Sequence, residues 1–245
     1  MIQIGCLARF FNKYEDEVAF AKLHGFDLMQ IWYDRNGIAL NKDSHPKENI
    51  IKEFDFPTIF HAVLDINEFE EHVPKIIDKL VYLNHKELII HPICDREEIT
   101  ADSIHKLSKQ VSFALEKLSE KGITLYLENN SLLDPVFNTP EEIAIIFDNN
   151  PNLEFLLDIA HIESYEHLKE IVAVKMPKAL HIADKHFDII HEHLPIGEGD
   201  IDYNYALNDV LGGFTGKIIL EVIQSEEAII SSRDKIRNIL SKRNK

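Results

Sequence analysis

Four apolar, strand-like runs in the second half of the chain end on a side chain that can bind a metal ion. The residues at these ends are Glu128, Asp158, His181 and Glu221. A side chain at the carboxyl end of a buried parallel strand points into the mouth of an α/β fold. Four such ends in succession predict a metal centre, and they require a fold that brings four strand ends to one place.

Eight apolar runs of strand length occur along the chain, and they lie at 2–8, 26–32, 58–63, 87–92, 123–128, 154–158, 178–183 and 217–222. Runs that are apolar throughout predict parallel strands covered on both faces. Alternating strands and helices leave two architectures, an open doubly wound sheet and a closed barrel. The sequence lacks a Gly-x-Gly-x-x-Gly motif after the first run, which weakens the first. The count of eight favours a single-domain α/β fold over 1–245, the (β/α)8 TIM barrel.

Apolar residues at helical spacing predict helices over 14–24, 68–84, 102–121, 164–174 and 203–211. The most specific helix start is at 139–142. There Thr139 can cap the helix, Pro140 suits its first position, and Glu142 completes a capping box. Ser225 is expected to cap the last helix.

Three stretches are predicted to lack regular structure, namely 33–56, 184–201 and the basic tail, and one strand is expected to end at a proline. Residues 33–56 are polar and nearly neutral, so we expect a loop there. Pro92 is expected to end its strand because proline has no N–H to donate. A basic tail that contains Lys242, Arg243 and Lys245 ends the sequence.

The charge balance restricts the classes of function. The formal net charge is -16, which repels polyanions and argues against sequence-independent binding of nucleic acid. Small, neutral or metal-chelated substrates fit such a field more easily. No apolar stretch approaches the roughly 18 residues of a membrane span, and the first residues lack the charged segment of a signal peptide. The two cysteines, Cys6 and Cys94, imply no disulfide framework, so a cytoplasmic location is expected.

In a barrel, Glu128, Asp158, His181 and Glu221 would surround a single point. Three carboxylates and one imidazole suit a divalent cation such as Mn2+, Zn2+, Co2+ or Mg2+. Without a cation the carboxylates would repel one another unless they held protons. Any one of these residues alone could equally cap a helix or bond a neighbour. Histidines that could supply further ligands are His61, His91, His161, His191 and His193.

Five short motifs resemble those of the xylose-isomerase-like TIM-barrel superfamily, which is also called AP endonuclease family 2. They are Leu-Glu-Asn at 127–129, Asp-Ile-Ala-His at 158–161, His-Ile-Ala-Asp-Lys at 181–185, His-x-Pro-Ile-Gly-x-Gly at 193–199 and Leu-Glu at 220–221. The superfamily includes sugar (phosphate) isomerases and epimerases, and also the endonuclease-four type of abasic-site nuclease. The resemblance covers most of the chain and specifies the superfamily better than the reaction.

The resemblance to the isomerases implies that Glu128, Asp158, His181 and Glu221 hold the metal ion. It also implies that the two glutamates are the catalytic acid and base. The cation would polarise the carbonyl of a chelated hydroxyketone, and one glutamate would take the proton from the adjacent carbon. Return of the proton to the neighbouring carbon of the enediolate is isomerisation, and return to the opposite face is epimerisation.

The same resemblance suggests which residues contact the substrate: His61, His161, His193, Lys185 and Trp32. His161 would hold a substrate oxygen. Lys185 would either neutralise an anionic group or be an ordinary surface lysine. Trp32 would either form an apolar wall of the site or pack in the core. A small sugar-like substrate and a homodimer fit this branch.

The nuclease branch binds three zinc ions through nine positions. The residue types expected there are present at His61, His91, Glu128, Asp158, His161, His181, His193 and Glu221. His191 stands where that family has aspartate, which retains a ligand type, and Glu192 stands where it has arginine. The net charge argues against this branch, and so do the arginines, three of which lie in the last helix and tail. We therefore expect a metal-dependent isomerase or epimerase of a small sugar or keto-polyol. The alternatives are a zinc phosphodiesterase acting on abasic DNA and an idle barrel used for binding.

Overall fold

Within residues 2–40 and 46–242, which the computed structural model describes, eight strands form a closed parallel barrel. The strands are β1 (Gln3–Leu7), β2 (Leu28–Asp34), β3 (Gly37–Ile38), β4 (Thr58–Asp65), β5 (Glu87–Ile93), β6 (Thr124–Glu128), β7 (Glu154–Asp158), β8 (Ala179–Ile182) and β9 (Lys217–Leu220). All except β3 belong to the barrel, and they pair in parallel in chain order. Because β1 pairs with both β2 and β9, the sheet closes, and the predicted single-domain TIM barrel is confirmed.

Helices follow most of the strands and cover the outside of the barrel. They are α1 (Tyr14–Leu23), α2 (Lys47–Phe54), α3 (Phe69–Leu83), α4 (Ser103–Ser119), α5 (Pro140–Asn149), α6 (Tyr165–Val174) and α7 (Glu226–Ser241). A short 3-10 turn spans Ile159–His161, and a π-helical turn spans Tyr205–Val210. Among the described residues, we find no helix with the length and apolar character needed to cross a membrane.

The prediction of a loop over 33–56 is wrong. The strand β3 pairs antiparallel with the end of β2, and helix α2 follows it. This helix buries Ile50 and Ile51 and packs the partly buried Phe54 against the core. Such a short apolar face gives little periodic signal in a sequence. Residues 41–45 of the predicted loop, and Arg243 and Lys245 of the predicted tail, lie outside the described residues.

Pro92 does not end its strand, contrary to expectation. The strand β5 continues to Ile93, and Pro92 lies opposite Leu64 of β4. Pairing between β5 and β6 stops at Ile90. The missing N–H of Pro92 therefore breaks no bond on the β6 side, which is why a proline is tolerated at this strand end.

The capping box at the start of α5 is confirmed. The backbone N–H of Glu142 donates to Thr139 Oγ1 at 3.3 Å, and the Glu142 carboxylate accepts from the N–H of Thr139 at 3.2 Å. Thr139→Ala is expected to lower the free energy of unfolding by about 1 kcal/mol, because loss of the threonine hydroxyl leaves the N–H of Glu142 without its acceptor. Denaturant titration measures this, with the exposed loop substitution Thr215→Ala as control. Equal stability of the two variants would contradict the role of the cap.

Candidate metal centre

The candidate site is one layer of side chains resting on an apolar floor inside the barrel. The floor is a separate cluster of buried residues: Leu28, Ile59, Ile89, Tyr126, Leu156, Ala179 and Ile219. Two positions further along each of these strands stand Gln30, His61, His91, Glu128, Asp158, His181 and Glu221. Side chains two apart in a strand point to the same face. In each of these seven strands, the residue that packs in the apolar floor is therefore followed on the same face by one polar side chain at the mouth of the barrel.

The four residues first identified at the strand ends do come together. One ligand atom from each of Glu128, Asp158, His181 and Glu221 lies within 4.8 Å of the others, and all four side chains are buried. His181 Nδ1 is 3.0 Å from a Glu128 oxygen and 3.3 Å from a Glu221 oxygen. The predicted cluster is thus a single compact group in the fold.

Gln30 fixes the orientation of His181. The Nε2–H of His181 donates to Gln30 Oε1 at 2.7 Å, and Gln30 Nε2 donates to Glu221 Oε1 at 3.1 Å. This assigns the imidazole proton to Nε2 and turns the Nδ1 lone pair toward the carboxylates of Glu128 and Glu221. A lone pair facing carboxylate oxygens is repulsive unless a proton or a cation lies between them.

Asp158 presents one oxygen that the protein leaves without a partner. Its Oδ1 accepts the N–H of Ala160 at 2.7 Å, and its own N–H donates to Asn129 Oδ1 at 2.7 Å. Its Oδ2 is buried and unbonded. Buried polar atoms in folded proteins almost always have a partner. An unpaired carboxylate oxygen directed at an imidazole and other carboxylates is what a cation site requires.

Two further groups of candidate ligands flank this centre. In the first, Glu128 Oε2 lies 2.7 Å from His61 Nε2 and 3.2 Å from His91 Nδ1. Glu128 therefore belongs to both this group and the four-residue group, because its two oxygens face different partners. The second flanking group is His161, His191 and His193.

A backbone contact orients His161 of the second flanking group. The Nδ1–H of His161 donates to the carbonyl oxygen of Asn129 at 2.8 Å, so its Nε2 carries the lone pair. That Nε2 is 3.4 Å from Asp158 Oδ2 and has no bonded partner. His193 Nε2 is also buried and unbonded, 3.8 Å from the same oxygen.

The protonation of the metal-free centre reflects the crowding of charges. Burial would raise the pKa of Glu128, yet His181, His91 and His61 hold it well below its usual value. Burial raises the pKa of Asp158 well above its usual range, and Glu221 and Glu128 raise it further. Burial disfavours charged His181, but the same two glutamates raise its pKa to about 9. Burial lowers the pKa of His161 to about 3. Protons on Asp158 and His181 therefore do part of what a cation would do.

These residues fit a divalent cation. The three carboxylates and one imidazole of the four-residue group suit Mn2+, Zn2+, Co2+ or Mg2+. In the flanking groups, the additional imidazoles favour a metal ion that binds nitrogen ligands. The unpaired atoms of Asp158, His161 and His193 support the fit, because no protein donor satisfies them.

The other predicted site residues divide between the wall of the mouth and the protein interior. Trp32 is 40% exposed, lies on the wall of a cavity of about 450 Å³, and contacts His61 edge to face at 5.2 Å. Its placement fits the predicted apolar wall and not core packing. Lys185 is buried and does not line this cavity. Its Nζ donates to the carbonyl oxygens of Ile162 and Ile190 at 3.2 and 3.5 Å, so it is not a surface lysine.

Asp184 organises the loop that brings two histidines back to the mouth. Its buried carboxylate accepts the N–H groups of Gly197 at 2.7 Å, Ile201 at 3.1 Å and Lys185 at 2.9 Å. Its backbone pairs with that of Leu194 in both directions. Asp184 is part of the motif at 181–185, but no role was predicted for it.

Gln30 and Asn129 were also missed, because a neutral amide is not a typical first choice of metal ligand. The signal for Gln30 was present: it stands two positions after an apolar residue in a strand, as the ligands do. Asn129 could be noticed only through its motif, since its role is to bond Asp158 and His161.

Gln30→Leu is expected to weaken metal binding by roughly 10–100-fold, the usual effect of removing an outer partner of a metal-binding histidine. The substitution preserves volume but removes the acceptor for His181 and the donor to Glu221. Competition with a fluorescent chelator measures the affinity. Gln3→Leu, at an exposed position at the start of β1, is the matched control. An unchanged affinity in Gln30→Leu would show that His181 does not depend on this contact.

The closed parallel barrel, with acidic and histidine side chains at the carboxyl ends of its strands, places this chain in the class of TIM-barrel proteins with a candidate metal site at the mouth of the barrel. The sequence model of the xylose isomerase-like TIM barrel matches residues 18–239. The chain therefore belongs to the xylose isomerase-like TIM barrel family. None of the curated proteins matches it at a significant level.

Solved structures with the same fold include the following three. A D-tagatose 3-epimerase-like protein is 20% identical, with a TM-score of 0.75 over 99% of this chain and 98% of that one. An L-ribulose 3-epimerase is 16% identical, with a TM-score of 0.76 over 100% and 96%. The IolI protein with a bound zinc atom is 18% identical, with a TM-score of 0.70 over 98% of each chain. At these identities the likeness establishes the fold.

Proposed function

We propose that this protein is a divalent-metal-dependent isomerase or epimerase of a small sugar or keto-polyol. The observation that carries the proposal is the compact group of Glu128, Asp158, His181 and Glu221, with both glutamates on the wall of the mouth cavity. Similarity in fold to sugar 3-epimerases supports it. The cavity volume of about 450 Å³ falls in the range of small-molecule sites.

The two glutamates are suited to move a proton. Despite burial, histidines keep the pKa of Glu128 well below its usual value, and His181 and His193 lower that of Glu221. Both are therefore ionised at neutral pH and able to accept a proton. When bound, a divalent cation would act as a Lewis acid on a substrate carbonyl and make the neighbouring C–H more acidic. The unpaired Nε2 of His161 is available to accept a bond from a substrate hydroxyl, because the Nδ1–H of this residue already donates to Asn129.

Proton exchange in heavy water tests this proposal. Metal-loaded protein incubated with a panel of ketoses is expected to place deuterium on the carbon next to the carbonyl, and NMR detects the loss of the proton signal. Glu221→Gln should slow exchange by roughly 10²–10⁴-fold, the contribution typical of a general base. Glu227→Gln, on an exposed position of α7, should leave it unchanged. Absence of exchange with every ketose of the panel would count against the isomerase.

A zinc phosphodiesterase acting on abasic DNA is a second candidate, because three adjacent groups of ligands are present and not one. Charge argues against it. Near the mouth, Arg96 pairs with Glu68, and Arg35 pairs with Asp95 and Glu68, so these guanidinium groups are already neutralised.

Metal counting and a cleavage assay separate the candidates. Protein purified without chelator is expected to hold about one tightly bound ion if it is an isomerase, and about two or three if it is the phosphodiesterase. Cleavage of a duplex with one abasic site, measured on a denaturing gel, would favour the second candidate. A chain that binds metal but performs neither reaction would be the idle barrel used for binding.

A further inference from the structure

The return loop, residues 185–193, leaves the end of β8 and comes back to the mouth of the barrel with His191 and His193. All of its residues are described, and none of them lies in a helix or strand. Ile189 and Ile190, in the middle of the loop, are 43% and 53% exposed. Side-chain packing therefore does little to fix the position of this segment.

Several contacts give the return loop its shape. The carboxylate of Glu192 accepts the N–H of His186 at 3.0 Å and lies 2.9 Å from its Nδ1. The N–H of Ile189 donates to the carbonyl oxygen of His186 at 3.0 Å. On the outer side, Phe187 contacts Tyr165 of α6 edge to face at 5.3 Å. These contacts shape the loop and its outer side, whereas its inner side faces the 3-10 turn after β7.

Lys185 ties the return loop to that turn. Its Nζ donates to the carbonyl oxygens of Ile162 at 3.2 Å and Ile190 at 3.5 Å. Ile162 directly follows His161, and Ile190 directly precedes His191. One ammonium group therefore links the two segments that carry these histidines, whose ring centroids are 5.3 Å apart.

The backbone of Lys185 is closely packed. Its N–H donates to Asp184 Oδ1 at 2.9 Å, and its carbonyl oxygen accepts the N–H of Asp200 at 2.8 Å. Gly199 approaches so closely that a Cβ there would lie 2.4 Å from the same carbonyl oxygen. The side chain thus extends from a well-fixed point, as a residue that sets a distance must.

Stability alone does not account for an ammonium group in this place. Lys185 is 3% exposed, and both of its partners are neutral carbonyl groups. The two bonds are longer than the roughly 2.7–2.9 Å of strong charge-assisted hydrogen bonds. Removal of a charge from water is costly, and an apolar side chain of similar volume often stabilises a fold equally well or better. Burial accordingly lowers the pKa of Lys185, although Asp158, Glu163 and Glu192 oppose this.

We propose that Lys185 is a positioning residue, which holds His191 and His193 at a fixed distance from His161 on the wall of the cavity. It acts through these histidines, since its own side chain does not line the cavity. This inference rests on the proposed isomerase or epimerase function, because that function gives His161 a substrate hydroxyl to bind.

Lys185→Met tests the placement of the histidines without a substrate, because methionine has nearly the same volume and lacks the ammonium group. Histidines labelled with 13C at Cε1 give one NMR signal each in Zn2+-treated protein, and single His→Gln variants assign these signals. The signals of His191 and His193 are expected to shift or broaden in Lys185→Met. The signal of His181, in β8, is expected to stay in place.

Lys86→Met is the matched control. The ammonium group of Lys86 also donates to a backbone carbonyl, that of Lys121 at 3.0 Å, but it lies at the amino end of β5. This control should leave all the histidine signals of the mouth unchanged. The Tm of Lys185→Met should differ from that of the unaltered protein by no more than about 4 °C, because the lost bonds are offset by the lower cost of burying an apolar side chain.

A ketose that exchanges its proton in heavy water provides a second measurement. With this ketose, Lys185→Met should raise KM by about 3–10-fold and leave kcat nearly unchanged. The reason is that hydrogen bonds to the substrate are weakened while Glu128 and Glu221 stay in place.

Unchanged signals of His191 and His193 in Lys185→Met would overturn the positioning role. A fall in kcat at constant KM would overturn it too, because Lys185 would then serve the chemical step. A large fall in Tm with every histidine signal altered would show a general role in the fold instead. If the unaltered protein exchanges no ketose, the proposed function fails, and the NMR signals still decide whether Lys185 positions the histidines.

Discussion

Glu128→Gln is expected to abolish tight metal binding. The loss of metal affinity should exceed the roughly 10–100-fold that follows removal of a residue hydrogen-bonded to a metal ligand. Glu128 is completely buried and faces His181 with one oxygen and His61 and His91 with the other. It is the residue shared by two of the three ligand groups. A glutamine keeps its shape but removes the negative charge that both groups use, so neither group should retain an ion.

Elemental analysis of the purified variant, together with chelator competition, measures this loss. Glu68→Gln is the matched control, because Glu68 is also a buried glutamate but pairs with Arg96 outside the centre. That control should keep the metal content of the unaltered protein. A Glu128→Gln protein with the metal content of the unaltered protein would show that the ion binds elsewhere.

Removal of the metal is expected to lower the Tm by about 5–10 °C. An ion present at 100 times its dissociation constant stabilises the folded state by about 2.7 kcal/mol. In a chain of this length each kcal/mol shifts the Tm by roughly 2–4 °C. Differential scanning calorimetry with Mn2+ and then with excess chelator measures the shift. Glu128→Gln should show no difference between the two conditions.

The size of this shift should depend on pH in a defined direction. In the metal-free protein the pKa of His181 is raised from 6.5 to about 9, so its charge stabilises the fold fully below pH 6.5 and ceases to do so as the pH rises through 9. The raised pKa of Asp158 acts in the same direction. A bound cation replaces these protons. The difference in Tm between metal-bound and metal-free protein should therefore widen from pH 6.5 to pH 9. A difference that narrows over this window would contradict the idea that protons and the cation compete for His181 and Asp158.

The ends of the apolar runs made much of the site visible in the sequence. Each apolar run is long enough to show its end, and Glu128, Asp158, His181 and Glu221 stand at those ends. Gln30 lies inside the predicted run 26–32, so the same rule did not mark it. The capping residues Thr139 and Ser225 were predictable because capping depends on a few neighbouring residues.

Elements stabilised by distant contacts were not predictable in this way. Helix α2 buries only Ile50 and Ile51, and its stability depends on the barrel surface beneath it. Strand β5 passes through Pro92 because its neighbour β6 has already stopped pairing. Asp184 looks like an ordinary loop aspartate until the N–H groups of Gly197 and Ile201 converge on it.

The sequence by itself determined the barrel, the order of the strands and the types of side chain at their ends, because these depend on local periodicity and on the parallel connection of strand and helix. Tertiary structure alone decided the contacts among the side chains at those strand ends. It placed Glu128 between two ligand groups, oriented His181 through Gln30, and put Trp32 on the wall of the cavity beside these polar side chains. Those features arise from distances between residues far apart in the chain, and they set the direction of a lone pair and the surface offered to a substrate.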